Sequence, residues 1–212
     1  MIFDAECSRC PRLSRFLKEV KREYPEYHAA PVAPFGVDKP GLLIVGLAPG
    51  MHGANATGRP FTGDYAGILL YRTLHKFGFS NRPESISRTD GLKLKNCRIT
   101  NAVKCLPPQN KPVGAEVNEC NDYLAHEIAG LPKGGVIIAL GNIAHQAVLR
   151  AQGLKVGGFK FAHGAVHVLP DGRRLVDSYH CSRYNTQTKR LTDEMFEDVF
   201  RTAKKLLENK RS

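Results

Sequence analysis

No window of the 212-residue chain approaches the roughly 20 apolar residues that a membrane helix requires. The opening residues, MIFDAECSRC, set no apolar stretch of signal-peptide length behind basic residues. These absences give the expectation of a cytoplasmic protein with no membrane partner. Low-complexity linkers and fixed-period repeats are missing too, so one domain spanning 1–212 is expected. Acid is in short supply: 20 Asp+Glu face 31 Lys+Arg, a formal charge of +11. Such an excess suits a polyanionic partner such as nucleic acid, but it specifies no chemistry. In a reducing compartment the six cysteines read as metal ligands, buried thiols or reactive thiols rather than as a disulfide framework.

What is present is an alternation of apolar runs and amphipathic segments. Residues 41–46 are continuously apolar and rich in β-branched side chains, the pattern of a strand buried on both faces, and 97–103 and 135–140 look alike. Residues 165–169 and 174–178 flank a Pro-Asp-Gly turn and read as two more strands, the last pair open to antiparallel edge pairing. Helical periodicity covers about 13–24, 66–77, 115–130, 142–150 and 191–209, the last with Leu191, Met195, Val199, Leu206 and Leu207 on one stripe. Alternating strands and helices predict an α/β fold whose mainly parallel sheet is covered on both faces, with functional residues in the loops after the strands.

Four constellations could carry chemistry. Cys7 and Cys10 form a Cys-x-x-Cys pair, and Cys105 and Cys120 are the further thiols that could close a tetrahedral site for zinc or an iron–sulfur cluster. The second pair is not a Cys-x-x-Cys knuckle, so buried thiols remain an alternative, and Cys97 and Cys181 are left over. The loop after the first strand runs GLAPG (46–50), HGAN (52–55) and TGRPFTGD (57–64). Its glycines permit close backbone approach to a ligand, Phe61 offers a stacking face, and the loop matches neither the dinucleotide fingerprint nor the phosphate loop. Asn101, at the end of another strand, carries an amide able to donate and accept at a pyrimidine edge, although a lone asparagine there also suits a turn. After the final strand come His180, Ser182, Arg183, Tyr184 and Asn185. A lone histidine is more often structural, but a parallel sheet would bring all of these loops to one rim.

Together these motifs, from Cys7-x-x-Cys10 to HCSRYNTQTKRLT (180–192), resemble the uracil-DNA glycosylase superfamily, and within it the cluster-containing family 5 of archaea and bacteria. The resemblance implies a three-layer α/β/α fold around a four-stranded parallel sheet. It also implies a structural [4Fe–4S] cluster on Cys7, Cys10, Cys105 and Cys120, tying residues 1–12 to the connection after the Asn101 strand. DNA containing uracil or other deaminated bases, hypoxanthine among them, is the implied substrate, in a prokaryotic cytoplasm and with a monomer as the simplest state. The first loop departs from better-known branches in lacking a water-activating acid, and Asp64 is the substitute. On that resemblance His180 would stabilise the departing base and Asp64 would orient water. Gly46, Ala48, Phe61, Asn101, Ser182 and Asn185 would hold the base and its nucleotide. Arg59, Lys104, Arg183 and Lys189 would hold phosphates, with Lys204, Lys205, Lys210 and Arg211 as a solvated helix end. The competing readings are a non-catalytic nucleic-acid-binding module of the same fold and, further off, a flavodoxin-like nucleotide enzyme.

Overall fold

The computed structural model describes residues 1–209, so Lys210 and Arg211 lie outside the described residues. A six-stranded sheet runs in the order β1-β3-β2-β4-β6-β5. Its centre is four parallel strands: β2 (Leu42–Gly46), β3 (Cys97–Asn101), β4 (Val136–Leu140) and β6 (Arg174–Ser178). Two short antiparallel strands, β1 (Phe35–Gly36) and β5 (Val166–Val168), are added at the edges, so the four-stranded sheet implied by resemblance describes the core and not the whole. β1 escapes sequence reading because it is two residues long and its Gly36 has φ 127°, outside extended-strand geometry.

Helices cover both faces, which is why the central strands need no polar side. Leu43 and Val45 of β2 pack with α1 (Pro11–Glu23), α4 (Gly114–Ala129) and α5 (Asn142–Ala151). The alternate residues Leu42 and Ile44 face α3 (Tyr65–Lys76) and α7 (Asp193–Glu208). α1 opens on Pro11 and buries Leu13, Leu17 and Val20, one stripe at helical spacing. α7 is capped by Thr192, whose hydroxyl accepts from Met195 N at 3.2 Å, and carries Asp193 and Glu194 in its first turn. Its buried stripe is Phe196, Val199, Phe200 and Ala203, with Met195, Leu206 and Leu207 only partly covered beside it. Among the described residues no helix is long and apolar enough to cross a membrane.

Register places the functional loops. Gly46 pairs with Asn101 and Leu140 with Ser178, so the parallel strands end at one level and their following loops share one rim.

Candidate active site

At that rim lies a cleft of about 430 Å³ lined by Ala48, Phe61, Asp64, Asn101, His180 and Ser182 among others. Gly46 does not line the cleft itself but lies against Phe61 and Asn101, which do. A side chain there would come within 2.7 Å of Phe61 Cζ and closer still to Asn101 Oδ1, so only glycine lets these two side chains meet. Phe61 holds φ +55°, a left-handed conformation rare for an aromatic residue, and its ring lies 6.0 Å from that of His180 at 27°. Its carbonyl packs against Gly67 so closely that any Cβ on Gly67 would overlap it. The bend of TGRPFTGD is therefore fixed by a glycine three residues beyond the motif.

Three polar side chains face this space in different states. Asn101 is 3% exposed and its Oδ1 has no hydrogen-bond partner. An unpaired buried amide oxygen is a liability in a free protein, and a ligand's N–H would remove it. Asp64 caps α3, with Oδ1 accepting from Gly67 N at 2.8 Å. Its other oxygen lies beside Gly53 and Gly50, where added side chains would stand 2.8 and 3.9 Å from Oδ2. Burial raises the Asp64 carboxyl above the ordinary aspartate range, against two backbone amide hydrogen bonds that lower it. His180 is pushed down to about 4 by burial, so at neutral pH it is an uncharged imidazole. The site thus combines a carboxylate, a neutral donor and an amide with a free acceptor.

The surrounding residues correct several sequence expectations. Arg59 is not on a phosphate-binding surface: it is 4% exposed, forks onto Asp90 at 3.0 and 2.6 Å, and also donates to Thr62 and Ser85. It stitches the Phe61 loop to residues 85–90. Lys104 is likewise buried, at 1% exposure, with Nζ on Glu127 at 2.8 Å, on the Asn101 carbonyl at 2.9 Å and on Thr100 Oγ1. A lysine so paired can hold Asn101 from behind but cannot meet a phosphate. Asn185 is outside the cleft lining, and its Nδ2 donates to the His180 carbonyl at 2.8 Å. Arg183 remains exposed at the mouth, 5.8 Å over the Tyr65 ring, while Lys189 is exposed but does not line the cleft. Tyr65 and Asn110 line it too and were not singled out from sequence. Asn110 adopts φ +56° in an irregular turn that no local pattern announces.

Away from the cleft, Cys7, Cys10, Cys105 and Cys120 converge on one small cavity under Leu13 and Tyr123. The Lys104 backbone N–H donates to Cys120 Sγ at 3.3 Å, a contact suited to a thiolate ligand. Burial, with the neighbouring thiols adding to it, pushes Cys10 up to about 11 and raises Cys105 and Cys120 as well. Four thiols gathered around one small buried cavity form a donor set that a metal centre would satisfy. Cys97 and Cys181 are buried elsewhere and take no part.

Residues 33–204 match the family model described as the uracil DNA glycosylase superfamily. The chain belongs to that superfamily. A type-5 uracil-DNA glycosylase of Thermus thermophilus is 47% identical over 205 residues, covering 94% of this chain and 93% of the relative. The type-5 enzyme of Pyrobaculum aerophilum is 42% identical over 201 residues, covering 93% and 87%. A type-4 uracil-DNA glycosylase of the same organism is 37% identical over 148 residues, covering 69% and 61%. As a superfamily member the chain has its cleft where the parallel strands end, the general address for ligands in such sheets.

Proposed function

We infer that this protein is a DNA glycosylase that hydrolyses the N-glycosidic bond of uracil turned out of DNA, initiating base excision repair. The unpaired Asn101 Oδ1 in the cleft carries the reading, because uracil presents an N–H donor and an adjacent carbonyl that one amide satisfies together. Phe61 supplies a face for the everted ring.

The chemistry follows from charge. The bond from C1′ to N1 breaks, uracil leaves as an anion with charge on N1 and O2, and the sugar becomes oxocarbenium-like. His180, neutral at working pH, donates a hydrogen bond toward O2, so the departing anion is met by a dipole that needs no proton transfer. The Asp64 carboxylate offsets the sugar cation and orients the water whose oxygen bonds to C1′. The water's proton passes to the carboxylate and then to solvent or to the released base. Arg183 at the mouth, with Lys189 nearby in sequence, would take phosphates. A first loop without an acid leaves room for other deaminated bases, hypoxanthine included.

The four thiols would hold a [4Fe–4S] cluster that ties residues 1–12 to the segment after Asn101, a cross-link rather than a redox participant. Iron and sulfide content of protein purified without oxygen tests this, and one zinc per chain in place of iron would refute it. The reading fits a monomer acting in a reducing cytoplasm.

The decisive experiment incubates U:G duplex with wild type, Asp64→Ala and His180→Ala and scores alkali-labile abasic sites. Wild type should produce them and both variants should lose turnover far more than DNA affinity. A wild type that binds the duplex without creating abasic sites would establish the non-catalytic module instead.

A further inference from the structure

Around β6 and the segment leading to His180 stand His145, His163 and His167, none of which lines the cleft, a concentration the chemistry above does not use. Asp177 in β6 is completely buried, and its two oxygens meet His145 Nδ1 at 2.8 Å and His167 Nε2 at 3.0 Å. The other nitrogen of His145 faces the Phe159 carbonyl at 2.9 Å. A carboxylate and a carbonyl only accept, so both ring nitrogens of His145 carry protons and the ring is an imidazolium. Ligand atoms around a tetrahedral zinc at 2.0–2.2 Å stand about 3.3 Å apart, so the shorter spacings here are those of proton-filled hydrogen bonds. Two residues along the same chain, the Tyr179 backbone N–H donates to His163 Nδ1 at 3.1 Å, and the two rings stack at 5.0 Å. His163 must therefore be neutral, with its proton on Nε2, the opposite state to His145.

We propose that these three histidines are positioning residues that clamp the end of β6, so that His180 is held against the cleft only while His163 is neutral and His145 is charged. The proposal rests on the reading of His180 given above. Protonating His163 would turn an accepted hydrogen bond into two opposed N–H groups directly before His180. Deprotonating His145 would free either Asp177 or the Phe159 carbonyl. The titratable and charged groups around the clamp are few. Asp177 and His167 face His145; around His163 are the Tyr179 phenol and Arg190, whose guanidinium lies 4.8 Å over the Tyr179 ring. The Met195 backbone also reaches the His163 ring, and burial lowers its affinity for a proton. Asp177 has the reverse effect on His145.

Asparagine is the informative substitution at His163, because its Oδ1 can accept the Tyr179 N–H without titrating. Single-turnover excision of uracil by His163→Leu should fall about tenfold or more at every pH with unchanged DNA affinity, and His163→Asn should recover most of that loss. In the wild type, log rate against pH should fall on the acid side by one proton more than in His163→Asn, because His163 titrates only in the wild type while Asp64 and His180 titrate in both. Equal activity of His163→Leu and wild type, or no recovery by His163→Asn, would overturn the proposal. Nitrogen-15 spectra of the unmodified protein at pH 7 give a test independent of folding: His163 should show the Nε2–H tautomer and His145 two protonated nitrogens, and a neutral His145 contradicts the clamp. A fully active His180→Ala would overturn the functional reading itself, whereas a dead His180→Ala with indifferent His163 variants would remove only the clamp.

Discussion

The cleft and the shell around it treat polar groups in opposite ways. In the shell each buried charge is matched: Arg59 with Asp90, Lys104 with Glu127, His145 with Asp177. In the cleft, Asn101 Oδ1 has no partner, burial raises the Asp64 carboxyl with no cation among the described residues beside it to offset the rise, and His180 gives its charge up to burial. Asn101 is as buried as Arg59 and Lys104, so burial alone does not mark function. The mark is a polar atom that folding leaves unanswered and that a substrate would answer.

Breaking the shell should give the largest effect. Arg59→Met leaves the Asp90 charge without its cation, although three backbone N–H groups still reach it, and removing one member of a buried ion pair typically costs about 3–5 kcal/mol. Urea denaturation should show that loss, while the salt dependence of DNA binding stays as in wild type, because Arg59 reaches no phosphate. A weaker salt dependence with intact stability would instead return Arg59 to the DNA face.

Breaking the cleft should do the reverse. His180→Ala should lower single-turnover excision by about 10²–10³-fold, the scale for losing one donor to a developing anion, with little change in thermal stability. The pH dependence of stability sharpens this. His180 has a folded value of about 4, below the unfolded value near 6.5. The unfolded chain therefore takes up a proton first as pH falls, and stability drops between those two values. His180→Gln removes this term, so its melting temperature should fall less than that of wild type between pH 7 and 5.

How much of this contrast is legible in sequence depends on distance along the chain. The central strands announce themselves because runs such as 42–46 are buried at every residue, and their order of appearance already implies a shared rim. Cys7, Cys10, Cys105 and Cys120 were selectable by residue type, and Phe61, Asp64, Asn101 and His180 by position after strands. Arg59 and Lys104 were misplaced for a definite reason: their partners lie 31 and 23 residues away, and local sequence shows a cation beside a ligand loop whether or not something neutralises it. The role of Asn185, which sequence reading placed on the nucleotide, was missed in the same way, and Gly67 was not singled out at all. One holds the backbone of the residue that acts and the other makes room for a carbonyl, roles that exist only once loops meet.

Asn101 lets the comparison be tested on one atom. If its unanswered oxygen is kept for a base, then Asn101→Ala should reduce uracil excision by about 1–3 kcal/mol of transition-state stabilisation. The same change removes an unpaired buried acceptor, so the free protein should be no less stable and could gain about 1 kcal/mol. Parallel loss of activity and stability would make Asn101 part of the shell.

The smallest effect belongs to Arg183, which, among the described residues, is the exposed arginine lining the mouth. Arg183 lies over the Tyr65 ring without a carboxylate partner within salt-bridge distance among the described residues. Its charge is thus available to a phosphate, in contrast to those of Arg59 and Lys104. Arg183→Ala should weaken binding to uracil-containing and normal duplexes alike and lower the slope of log affinity against log salt by about one. Single-turnover excision at saturating enzyme should be nearly unchanged. A loss confined to uracil-containing DNA, with the salt slope intact, would mean that Arg183 engages the everted nucleotide itself and belongs with Asn101 and His180 rather than with the phosphate contacts.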